Sequence, residues 1–108
     1  MLAVLVAGAV AAAPAAGAHR AHVARTATVV IRNIDFSHHT LRINRGDSVR
    51  WRFADAGVSH NVTSRGKPHF RSSNSMQSGT YAVRFTRAGT YRYVCTIHPG
   101  MRGRVIVR

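Results

Sequence analysis

In four stretches of this chain, arginines alternate with apolar residues: Leu41-Arg42-Ile43, Val49-Arg50-Trp51-Arg52-Phe53, Val83-Arg84-Phe85 and Tyr91-Arg92-Tyr93. A period of two belongs to a strand with one face in the core and the other in water; a helix would scatter the same residues around its axis. The alternation therefore commits much of the chain to half-buried strands. β-Branched residues at Thr26, Thr28, Val29, Val30 and Ile31 open the series, which we read as a strand from Thr26 to Ile34, and a second is expected over Thr40 to Asn44. Arg45-Gly46-Asp47 turns the chain into Ser48 to Phe53, with Val49, Trp51 and Phe53 facing inward. After the loop Ala54 to Ser59, His60-Asn61-Val62-Thr63 reads as a short strand. Ser64 to Gly79 reads as a long connection broken by Pro68, with Phe70 and Met76 as its large apolar anchors. Tyr81, Val83 and Phe85 share a face, Arg87-Ala88-Gly89 makes a turn, Tyr91, Tyr93 and Cys95 share a face, and Gly103 to Val107 closes the chain. The expected fold is all-β: a Greek-key β-sandwich of seven or eight short strands forming one domain over residues 26–108, with no internal repeat.

Two segments of different composition precede that domain. Residues 1–18 read as a signal peptide for export: an apolar run from Leu2 to Ala13, then Pro14, then the small-residue ending Ala16-Gly17-Ala18 of a cleavage site. No Lys or Arg precedes the run, which departs from the usual pattern. The run is too short and too rich in Ala for the roughly 20 strongly apolar residues of a membrane span. Residues 19–25 are polar, basic and unpatterned, and read as a mobile arm carrying His19 and His22. The expected location is periplasmic or extracellular. Exported chains normally pair their cysteines, yet Cys95 is the only one here. It is left as a buried thiol, an intermolecular partner or a ligand.

The residues that follow Cys95 favour ligation. Cys95-Thr96-Ile97-His98-Pro99-Gly100-Met101 crowds a thiolate, an imidazole and a thioether into one turn. Two imidazoles and a thiolate with a weak axial thioether form the ligand set of electron-transfer copper centres. One imidazole is missing from the stretch, and His60 is the best placed to supply it, because it opens a strand after a loop and is followed by the polar Asn61. A bound metal would also help to hold a mature chain of about 90 residues, which has room for only one small core. His38, His39 and His69 read as exposed loop histidines, and Trp51 as core.

Charge bounds the partners. Lys and Arg number 16 against three acidic residues, Asp35, Asp47 and Asp55, for a net charge of +13. In the four alternating stretches the arginines fall on the outer faces of strands, where they form a solvated surface whose field would steer acidic partners or hold anionic surfaces. Specific nucleic-acid binding is not expected, because no stretch joins basic clusters to exposed stacking aromatics.

The stretches Val49-Arg50-Trp51, His60-Asn61-Val62-Thr63-Ser64, Phe85-Thr86-Arg87-Ala88-Gly89-Thr90-Tyr91-Arg92-Tyr93-Val94-Cys95 and His98-Pro99-Gly100-Met101-Arg102-Gly103 closely resemble the type 1 blue copper proteins, the cupredoxins of the plastocyanin and azurin superfamily. The Cys-x-x-His-x-x-Met spacing is similar to the short ligand loop of amicyanin, and the resemblance runs from about Thr26 to Arg108. It implies a sandwich of two sheets that holds one copper ion, cycles it between Cu(I) and Cu(II), and shuttles single electrons without catalysing a reaction. Carried over by position, His60, Cys95 and His98 would be the equatorial ligands and Met101 the long axial one. Asn61 would tie the two ligand-bearing segments together. His98 would be the solvent-edge ligand through which electrons pass, with Pro99 and Gly100 in an apolar docking rim. Arg71 stands where relatives often carry an acidic residue, and the segments Ala54 to Ser59 and Arg65 to Ser78 do not fix a subfamily. The implied partners are a redox protein donor and acceptor, met briefly through a small interface by a monomer. A second reading keeps the same ligands for copper storage, delivery or resistance. It would favour extra surface Met or His, of which there is little beyond the arm. An oxidase or reductase would need paired His-x-His motifs for a second copper centre, and none occurs.

Overall fold

The computed structural model describes residues 22–108, so the signal-peptide reading of residues 1–18 and the start of the arm lie outside the described residues. Eight strands follow in chain order: β1 Thr26–Arg32, β2 Asp35–Phe36, β3 Thr40–Ile43, β4 Ser48–Phe53, β5 Thr63–Arg65, β6 Gly79–Arg84, β7 Gly89–Val94 and β8 Arg102–Val107. They form two four-stranded sheets, ordered β2-β1-β4-β6 and β3-β8-β7-β5. The chain crosses between the sheets after β2, β3, β4, β5 and β6. That crossing places β1 beside β4 and β3 beside β8 in parallel, so both sheets are mixed, with the other pairs antiparallel. Parallel neighbours cannot be joined by a tight hairpin, and here each pair is separated by a passage through the opposite sheet.

The inward residues of the alternating stretches meet between the sheets. Val29, Ile31, Val49, Trp51 and Phe53 from one sheet pack with Tyr91, Tyr93, Val105 and Val107 from the other. Trp51 is fully buried and stacks on Phe70 with centroids 5.6 Å apart, while Tyr93 meets it edge-on at 5.3 Å. Burying side chains of this size stabilises a fold by about 1.5–3 kcal/mol each. Phe70 thereby anchors the long connection between β5 and β6.

Two boundaries differ from the sequence reading, each for a local reason. The first strand ends at Arg32 rather than Ile34 because Asn33 and Ile34 both take φ of 55°, forming a two-residue hairpin turn into β2. The segment from His60 to Thr63 is not a continuous strand. His60 makes one isolated bridge to Met76, its N–H donating to the Met76 carbonyl at 3.0 Å and its carbonyl accepting the Met76 N–H at 2.8 Å. Val62 donates its N–H to Ser73 Oγ at 2.8 Å and accepts the Ser73 N–H at 2.8 Å, so the ladder begins only at Thr63. Within the arm, His22 Nε2 lies 2.7 Å from Asp47 Oδ1, and the Arg25 N–H donates to the same oxygen at 2.9 Å.

Candidate metal centre

β7 carries Tyr91 and Tyr93 inward, and the same alternation buries Cys95 just beyond the strand's end. The chain then doubles back. The Cys95 N–H donates to the Met101 carbonyl at 2.9 Å and the Met101 N–H to the His98 carbonyl at 3.2 Å, closing the loop on itself before β8. Gly100 takes φ of 85°, a left-handed conformation that glycine adopts without a steric penalty. Met101 is buried to 3 % exposure, and His98 is half-buried at the surface end of the loop.

His60 arrives from the other side of the sequence with no exposed surface, its backbone pinned to Met76. Its Nδ1 lies 3.8 Å from Cys95 Sγ, and His98 Nδ1 lies 3.6 Å from the same sulfur. The donor atoms of these three residues all fall within 4.8 Å of one another, and no other such group of three occurs among the described residues. The tautomer of His60 follows from its other nitrogen: Nε2 sits 2.9 Å from Asp55 Oδ2, so Nε2 carries the proton and the Nδ1 lone pair faces the sulfur. Asp55 Oδ2 also accepts the Ile34 N–H at 2.9 Å. The Ile34 amide, followed by His60, holds the Asp55 carboxyl below its ordinary range.

Asn61 joins the two ligand-bearing segments through two bonds to Thr96 and is braced by a third from Thr63 on its own segment. Its Nδ2 donates to Thr96 Oγ1 at 2.8 Å, and its Oδ1 accepts the Thr96 N–H at 3.0 Å and the Thr63 hydroxyl at 2.8 Å. Two imidazole nitrogens, a thiol and a nearby buried thioether make a soft donor set that suits copper over the hard cations. His38, His39 and His69 are exposed and stand apart from this cluster, with His39 bonded to Asp35 at 2.8 Å. The sequence reading missed two contributors, Asp55 and Thr96. Thr96 lies inside the singled-out loop, but Asp55 acts across an irregular turn and its role has no sequence pattern. Outside the cluster, Ile97 is 44 % exposed and lies with exposed Pro99 and Gly100 beside the His98 edge.

Comparisons with known proteins agree with this centre. The profile of the copper binding proteins, plastocyanin/azurin family, matches residues 23–108. Amicyanin-alpha of Methylorubrum extorquens is 36 % identical over 89 residues, covering 73 % of this chain and 69 % of that protein. Amicyanin of Paracoccus denitrificans is 37 % identical over 92 residues, covering 81 % of this chain and 70 % of that one. Among solved structures, an amicyanin variant in its Cu(I) form superposes with a TM-score of 0.69 at 32 % identity, over 77 % of this chain and 82 % of that chain. A purple cupredoxin from Nitrosopumilus maritimus gives 0.68 at 27 % identity, over 76 % and 99 %. The profile match takes in all but the first of the described residues, donor cluster included, and the chain belongs to the plastocyanin/azurin family of copper-binding proteins as a type 1 blue copper cupredoxin.

Proposed function

We propose that this cupredoxin is exported and carries single electrons between a donor and an acceptor protein, and that His60, Cys95, His98 and Met101 are the residues that would hold its one copper ion. The observation that carries the reading is the convergence of two imidazole Nδ1 atoms on the buried Cys95 sulfur, with the His60 ring held from behind by Asp55. Bound copper supplies a Cu(I)/Cu(II) couple. The work of the chain is to keep its donors nearly in place in both oxidation states. Asp55 fixes the ring plane and tautomer of His60, and Asn61 clamps the segment behind His60 to the start of the ligand loop. Burial of Cys95 and Met101 keeps water from the soft donors, and the weak thioether tunes the potential. His98 is the least buried of the donors, so its edge, rimmed by Ile97 and Pro99, is where a partner comes nearest.

The test is optical. On addition of one equivalent of Cu(II), the purified protein is expected to show an intense thiolate-to-copper band that a mild reductant bleaches and an oxidant restores over repeated cycles. Absence of the band would sink the ligand assignment. A band that cannot be cycled would favour storage or delivery over electron transfer. Cys95→Ser is expected to abolish the band. Export predicts that the protein recovered outside the cytoplasm begins near His19 on N-terminal sequencing.

A further inference from the structure

Every acidic side chain in the sequence is committed to a histidine: Asp35 to His39 at 2.8 Å, Asp47 to His22 at 2.7 Å and Asp55 to His60 at 2.9 Å. No arginine among the described residues therefore has a carboxylate partner. The strand register concentrates some of this unpaired charge. Arg65 on β5 stands opposite Arg92 on β7, and Arg92 stands opposite Arg104 on β8, so three exposed arginines form one row across three adjacent strands. Strands in a sheet lie about 4.8 Å apart. Arg102, two residues before Arg104, shares this outer face. Like charges directly opposite one another destabilise a sheet, and the chain offers no carboxylate to offset them. The opposite sheet is arranged differently: Arg50 and Arg52 face Thr28 and Val30 on one side and Ala82 and Thr80 on the other.

The row also has a distinctive position. It lines an open concavity of about 700 Å³ that includes Val94 and Gly100. A neighbouring hollow shares Arg65, Val94, Gly100 and Arg102 with it and reaches Cys95 and His98. The basic surface thus runs without a break to the edge of the metal centre.

We propose that the row Arg65, Arg92 and Arg104, with Arg102 beside it, is a docking surface for an acidic patch on the redox partner, which it holds against the ligand loop. This rests on the carrier reading and adds the kind of partner and where it seats. Charge complementarity and contiguity with the metal centre select an acidic redox protein. Nucleic acid is disfavoured because the exposed large apolar residues among the described ones, Val23, Ile34 and Ile97, include no aromatic on which a base would stack. In the docked pair one electron would pass from a reduced copper centre held by His60, Cys95, His98 and Met101 to an oxidised one-electron centre of the partner, the first oxidised as the second is reduced, and the reverse transfer would balance in the same way.

The experiment uses the copper-loaded protein and, as probe, cytochrome c with its lysines succinylated, an acidic one-electron protein. Electron exchange is followed by stopped flow as a function of salt. The wild-type second-order rate constant is expected to fall steeply as ionic strength rises, because screening weakens electrostatic steering. At low salt, the variant Arg65→Gln/Arg92→Gln/Arg104→Gln is expected to be slower by about tenfold or more with a flattened salt dependence. A control with equal charge removed from the other sheet, Arg32→Gln/Arg50→Gln/Arg52→Gln, is expected to lose less than about twofold. Arg92→Gln alone gives an intermediate rate, and keeps the test available if the triple variant folds poorly; the copper band reports folding in each case. Equal losses in the two triple variants would overturn the proposal, since net charge alone would then act. So would unchanged exchange together with row-dependent binding of phosphatidylglycerol vesicles or single-stranded DNA. A wild-type protein that fails to cycle with a small neutral reductant would instead sink the carrier reading.

Discussion

Asp55 Oδ2 accepts from two donors at once, the Ile34 amide of the β1–β2 turn and Nε2 of His60, and so couples a surface hairpin to the buried imidazole of the metal centre. A carboxylate behind a ligating histidine fixes the ring and raises its basicity, and loss of such partners typically weakens metal affinity by about 10–100-fold. Asp55→Ala is therefore expected to retain the thiolate-to-copper band but to release copper by about that factor more readily in competition with a chelator. An affinity equal to wild type would show that Asp55 serves only the hairpin. At this scale the sequence was uneven in what it disclosed. Cys95, His98 and Met101 were legible because their soft donors crowd into one loop, and His60 because it stood before a polar residue at the end of a loop. Asp55 was not legible, since nothing in Ala54 to Ser59 signals a contact that exists only when the loop folds under His60. Thr96 was hidden in another way: its bonds to Asn61 join residues 35 positions apart, and of the two only Asn61 stands out in the sequence, as the polar residue after His60 and again through the family resemblance.

The strands themselves were the most legible elements, because a period of two with arginines outside leaves one orientation for each. Ser48–Phe53 was read to the residue, with Val49, Trp51 and Phe53 inward. What the pattern could not convey was pairing: alternation looks the same in parallel and antiparallel neighbours, so the β1–β4 and β3–β8 pairs emerge only from the fold. The β1–β2 hairpin also escaped, because β-branched Ile34 is a poor residue for the left-handed conformation it adopts at φ of 55°. Ile34→Gly, which leaves the amide for Asp55 in place, is expected to raise unfolding stability by about 1 kcal/mol as measured by denaturant titration. A second link between elements is Asp47, which precedes β4 and accepts bonds from His22, Arg25 and Asn44. The His22 bond, then the two backbone amides, hold its carboxyl down at about 2 against an ordinary 3.8. Because the folded value is the lower one, the stabilisation is complete above the ordinary value and disappears as pH falls from about 4 through about 2. The melting temperature of wild type should therefore exceed that of Asp47→Asn at about pH 5, with the margin closing toward about pH 2. A margin that persisted at pH 2 would place the stabilisation outside the carboxylate charge.

For the molecule as a whole, the balance of charge decides how salt acts on stability. Most small proteins carry cross-strand or surface ion pairs that screening weakens, but here every acidic residue is bonded to a histidine and the net charge of +13 resides on arginines with no carboxylate partner among the described residues. Self-repulsion of that charge favours expanded states over the compact fold. The row Arg65, Arg92 and Arg104 concentrates it at cross-strand distance. Raising ionic strength shortens the range of repulsion from about 30 Å at 0.01 M to about 3 Å at 1 M. The folded state gains more from this than the unfolded chain, whose charges are already farther apart. Sodium chloride between those limits is therefore expected to raise the melting temperature of the copper-loaded protein at pH 7, where chains held by ion pairs would lose stability. The rise should be smaller in the Arg65→Gln/Arg92→Gln/Arg104→Gln variant, which starts from a less repulsive sheet and should melt higher than wild type at low salt. A melting temperature that fell with salt, or a variant that melted lower than wild type at every salt concentration, would mean that the row contributes to folding through its aliphatic stems, and that its charge exacts no cost a docking partner would need to offset.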